Sequence, residues 1–61
     1  MAQRTSKELS ALDDILSQKQ CAATKYQAYA GQVTDPALRD LFTDVARRQR
    51  EHYNTLLRHL R

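Results

Sequence analysis

The one glycine and the one proline of this chain, Gly31 and Pro36, fall together in a single mid-chain stretch, "GQVTDPALRD". Glycine and proline are the residues least compatible with a helix interior. With both confined to one place, the sequence on either side has no breaker, and the chain reads as two long helices joined by one turn. Gly31 is permissive and is expected to loosen the last turn of the first helix. Asp35 followed by Pro36 is a strong helix start. Asp caps the free N–H groups, and Pro fits the first helical position, where its missing N–H costs nothing. At the other end "TSKE" fits a capping box, with Thr5 and Glu8 each reaching the other's backbone N–H. The prediction is helix 1 over 6–33, a turn at 34–35 and helix 2 over 36–60, in one domain covering 1–61 with residues 1–4 as a frayed start.

Apolar periodicity orients the two helices. In helix 1 Leu9, Leu12, Leu16, Ala23, Tyr26, Ala30 and Val33 recur at steps of three and four once Lys19 is included, which makes one continuous face. In helix 2 the face reads Leu38, Leu41, Phe42, Val45, Gln49, His52, Leu56 and Leu60. A turn centred near Thr34 predicts an antiparallel hairpin with Tyr26 opposite Phe42 and Ala23 opposite Val45. Further from the turn, Lys19 then lies opposite Gln49, Leu16 opposite His52 and Leu12 opposite Leu56. At 1.5 Å per residue each helix is roughly 40 Å long. Acids at the start of helix 2 (Asp35, Asp40, Asp44) and arginines in its later turns (Arg47, Arg48, Arg50, Arg58, Arg61) suit the helix dipole.

A chain of 61 residues with one cysteine has no internal disulfide to stabilise it. A two-helix hairpin leaves half of its apolar stripe in water, and two hairpins packed together close a four-helix bundle. A homodimer, or a higher assembly, is therefore expected. Its core is predicted as Leu9, Leu12, Leu16, Ala23, Tyr26, Ala30, Leu38, Phe42, Val45, Leu56 and Leu60. Tyr29 and Tyr53 are placed on the flanks as interface residues. Cys21 is read as a small, buried or half-buried residue two positions off the inner face, with an intermolecular disulfide as its alternative.

No apolar run approaches a membrane span and the N-terminus lacks a signal-peptide core, so a soluble intracellular protein without a membrane partner is expected. The net charge of +3 is mild. Arg47, Arg48 and Arg50 point to several sides of one helix and alternate with acids, which favours a solvated, salt-bridged face over nucleic-acid binding.

Three residues on the apolar faces are polar: Lys19, Gln49 and His52. The predicted register puts them at one level, as a polar layer that would reward one alignment of partners. His52 in such a layer is expected to be partly buried and to charge on acidification, weakening the dimer. The layout resembles the ferritin-like pattern, in which one helix carries Glu and, further on, a Tyr, and the next carries Glu-x-x-His. Here "KQCAATKYQAYA" has Lys19 at the first Glu position with Tyr26 seven residues on. "QREH" has Gln49 at the second Glu position and keeps His52. An ammonium and a neutral amide are poor ligands for a metal that needs anionic oxygen.

Over most of its length the chain resembles the spore coat protein F family, the coat F domain. The residues that carry the resemblance are "LDDILSQK" followed seven residues later by Tyr26, then "TDPALRDLF", then Glu51-His52 before the final leucines. The resemblance implies a ferritin-like helical protein with degenerate metal ligands, used in coat structure or assembly during sporulation. Its expected partners are itself and other coat proteins, in the cytoplasm or the spore coat. No catalytic residue, metal or cofactor is expected. The alternative is a ferritin-like di-metal or oxidoreductase bundle using His52 and Glu51.

Overall fold

The structure, a computed structural model, describes residues 5–59. It consists of α1 (Ser6–Gln32) and α2 (Pro36–His59), linked by residues 33–35. The pairings run in opposite directions along the two helices. Tyr26 stacks on Phe42 near the turn, Gln27 bonds to Arg50, and Lys19 shares a groove with His52 further out. The molecule is thus an antiparallel hairpin, all helical among the described residues.

The local signals act largely as their chemistry dictates. Thr5 has extended backbone (φ −70°, ψ 159°), and its hydroxyl accepts the Glu8 N–H at 3.1 Å. Its carbonyl accepts the Leu9 N–H at 3.0 Å, the first bond of α1. At the second start the Asp35 carboxylate accepts the Ala37 N–H at 2.9 Å and the Leu38 N–H at 3.4 Å. Gly31 lies inside the helix, as the predicted span has it. It keeps helical backbone with no positive φ, and α1 continues through it to Gln32. The chain leaves the helix at Val33, which is extended (φ −93°, ψ 146°), one residue before the predicted end. The Arg39 guanidinium then donates to the Val33 carbonyl at 3.3 Å. That bond brings a cation from α2 to the end of α1, whose own last turn has no basic residue.

The enclosed core is small: Leu16, Ala23, Ala30 and Ala46. On α1 these recur every seven residues, so one line of mostly small side chains faces α2. Small side chains let two helices approach closely and push bulkier neighbours to the sides. The residues predicted as the core of the dimer are placed as follows in the single hairpin. Leu16, Ala23 and Ala30 are buried, and Leu12, Tyr26, Phe42, Val45 and Leu56 are half-buried. Leu9 and Leu38 are exposed, at 44% and 38%. Leu60 lies outside the described residues. On α2 the line facing α1 passes through Ala46, Gln49, Tyr53, Leu56 and Leu57. It is rotated from the predicted stripe, so His52 points to solvent and Ala46 is fully enclosed.

The hairpin measures 48 × 16 × 10 Å with a radius of gyration of 14.6 Å. A compact chain of this length would have a radius near ~10.5 Å. Its accessible surface is 4932 Å², where a compact monomer of this mass exposes about 4,100 Å².

Candidate functional site

The rotation of α2 gives the hairpin two unlike long sides. One is polar. A shallow recess there is lined by Gln20, Ala23, Thr24, Arg50, Tyr53 and Asn54. Arg50 Nη2 donates to Gln27 Oε1 at 3.1 Å, the hydrogen bond that joins the helices on that side.

The other side is apolar, and most of the sequence-predicted stripe lies on it. At its turn end Tyr26, Tyr29 and Phe42 form an aromatic cluster. Ring centroids are 5.9 Å apart for Tyr26–Tyr29, 6.1 Å for Tyr26–Phe42 and 5.6 Å for Tyr29–Phe42. These are edge-on, stacked and tilted arrangements of the kind aromatic rings favour. The predicted Tyr26–Phe42 pairing is therefore present. Leu38 and Leu41 stand exposed nearby, Leu41 at 56%. At the far end of the same side is an open groove of about 400 Å³, lined by Ile15, Lys19, His52, Thr55 and Leu56. Ile15 is itself exposed.

Of the polar layer, Lys19 and His52 line this open side, whereas Gln49 is on the α2 line that faces α1. Lys19 and Gln49 are half-buried and His52 is exposed. Lys19 lines a groove with His52, while the Tyr26–Phe42 pair keeps the predicted register. His52 is expected to be partly buried within a bundle of two hairpins, and in the single hairpin it is exposed. A helix advances by about 100° per residue, so once Tyr53 turns toward α1 its neighbour His52 must face outward.

The groove lining holds a cation and no carboxylate. Glu51, the acid nearest in sequence, is exposed and accepts from Arg47 Nη1 at 3.3 Å. His52 and Glu51 are successive residues of one helix and diverge. Among the described residues no three His, Cys, Asp or Glu side chains converge as a metal-ligand set. Cys21 is exposed, a correction to its predicted burial or half-burial. It borders a recess with Gln18, Ala22, Lys25 and Tyr26 beside the aromatic cluster.

The arginines have partners on the hairpin itself. Asp44 binds Arg47 directly and Arg48 at 3.0 Å. The Arg47 hydrogen bond holds the Asp44 carboxyl below its ordinary range, against partial desolvation and helped by the Arg48 charge. In return Asp44 raises Arg47 above its ordinary value, through the same hydrogen bond first and through charge second. Arg58 donates to the Thr55 hydroxyl at 3.2 Å. No helix among the described residues is long and apolar enough to cross a membrane.

Sequence periodicity missed Ala46, Tyr53 and Leu57 on the inner line and Ile15 on the open side. The available signal was the seven-residue recurrence of Leu16, Ala23 and Ala30, which marks a close-packed seam distinct from the stripe of large residues.

No protein-family model, curated protein or solved structure matches this chain.

Proposed function

We propose that the chain is a non-catalytic structural or assembly protein that works as a homodimeric four-helix bundle of ferritin-like plan. In this reading it resembles spore coat protein F and acts in the cytoplasm or the spore coat of a spore-forming bacterium. The observation that carries the reading is the open apolar side. Ile15, Tyr29, Leu38 and Leu41 are all exposed on a hairpin whose enclosed core is one leucine and three alanines. So small a core contributes little against the conformational entropy of ordering the chain. A second layer over the open side supplies the missing burial. The groove chemistry fits a packing role better than a reactive one, since an ammonium and an imidazole without a carboxylate favour neither a di-metal centre nor acid–base work by a carboxylate pair.

Sedimentation equilibrium across a concentration series, with helicity followed by circular dichroism, tests the assembly. Helicity should fall as the dimer dissociates. A fully helical, cooperatively folded monomer at all concentrations refutes it. Metal analysis of the same sample tests the non-catalytic part: stoichiometric iron, manganese or zinc overturns it. A fluorescent fusion in sporulating cells tests the coat assignment, which an even distribution through development would contradict.

A further inference from the structure

We infer that the partner on the open side is a second copy running in the opposite direction, so that the groove of each copy receives the aromatic cluster of the other. This rests on the homodimer reading and adds its geometry.

The size fits. The surface in excess of a compact monomer is about 800 Å², which is the area each partner contributes to a standard protein interface. The open side, 48 Å by 16 Å, offers a footprint of the same order.

The shape of the side selects the direction. It has a ridge at the turn end, made by Tyr26, Tyr29, Phe42 and the exposed Leu38 and Leu41. It has a hollow at the other end, between Ile15, Lys19, His52 and Leu56. Two copies with their turns at the same end set hollow against hollow and ridge against ridge, and unfilled volume forfeits dispersion contacts on every wall. Two copies related by a two-fold axis perpendicular to the helices set ridge into hollow twice. Along α1 the apolar strip runs from Leu9 to Val33, and Cys21 is equidistant from both. An axis at that level brings Ile15 of one copy between Tyr26 and Tyr29 of the other.

The charge fits as well. Lys19 lines a groove that has no carboxylate. With the axis near Cys21, its ammonium comes within side-chain reach of the Tyr26 ring of the second copy, a cation–π contact that stabilises a partly desolvated lysine. Inside one hairpin Tyr26 lies seven residues from Lys19 along α1, about 10 Å of helix rise, out of the ammonium's reach.

Cys21 is the reporter. It is exposed on the open-side edge of α1, and the antiparallel arrangement places α1 beside α1 of the second copy with both Cys21 thiols near the axis. The turn-to-turn arrangement places α1 beside α2 and separates the thiols across the bundle. The test treats the native chain with a short-span bismaleimide at concentrations where sedimentation shows the dimer. A Cys21→Ser, Leu38→Cys variant is treated in parallel to report on the turn end. The expected result is a covalent dimer for the native chain and none for the variant. Any other pattern in a dimeric sample overturns the antiparallel arrangement while leaving the dimer standing. A sample that sediments as a monomer throughout overturns the dimer itself.

Discussion

Ala46 offers the sharpest test of how the helices meet. It is 0% exposed, and in a molecule of two helices only the opposite helix can enclose it. The seam it faces on α1 is built from Leu16, Ala23 and Ala30, so the interaxial distance there is near the short end of the usual 8–10 Å range. Ala46→Leu inserts three carbon atoms into that seam. The helices must then part or the new side chain must leave its preferred rotamer, and overpacking of this kind costs about 1–3 kcal/mol. The comparison variant is Ala28→Leu, which places the same side chain on an exposed position of α1 and should change stability by less than about 0.5 kcal/mol. In a small domain each lost kcal/mol lowers the midpoint by about 4–8 °C. Thermal unfolding followed by circular dichroism, at one fixed chain concentration, should put the Ala46→Leu midpoint well below that of Ala28→Leu. Equal midpoints would show that the close-packed alanine seam is not where the helices touch.

Other substitutions follow from the termini and the surface. Gly31 has helical backbone, and a Cβ added there meets nothing within 4 Å; Gly31→Ala should stabilise the hairpin by about 0.5–1 kcal/mol in urea denaturation, and a loss would contradict that geometry. Asp35→Ala removes both capping bonds at the start of α2 and should cost about 1 kcal/mol by the same measurement. Asp44 is held below its ordinary value by Arg47, so its contribution is present above the unfolded carboxylate range and is lost as pH falls through the depressed folded value. Asp44→Asn should flatten that part of the pH–stability curve, and because the pair is exposed the difference should shrink with added salt.

The two helices were legible because their punctuation is local chemistry. The Thr5 hydroxyl and the Asp35 carboxylate cap the N–H groups the sequence assigns them. Gly31 sits inside α1, as the predicted span has it, and the helix ends one residue later at Gln32. The candidate site was half legible. Periodicity found the stripe of large apolar residues, and the Tyr26–Phe42 pair followed from the position of the turn. It could not tell that this stripe flanks the helix contact. That depends on a competition between burying area, which favours large side chains at the seam, and close approach, which favours alanine. Only the three-dimensional packing of Ala23, Ala30 and Ala46 resolves it.

That competition also accounts for Lys19. A lysine in the seam between two helices would face a large desolvation penalty with no carboxylate to offset it. On a flank it lines an open groove with Ile15 and Leu56, where a long stem can cover apolar surface while the ammonium stays in water. The alanine seam therefore does two things at once. It holds the hairpin with small residues, and it leaves the large apolar residues and the half-buried Lys19 together on the outside, where a second copy can cover them without stranding the charge. A hairpin closed instead through its leucines and aromatic rings would have buried Lys19 and kept little apolar surface to offer. Exposed apolar surface, a half-buried lysine and a core of alanines are in this sense one feature of the fold.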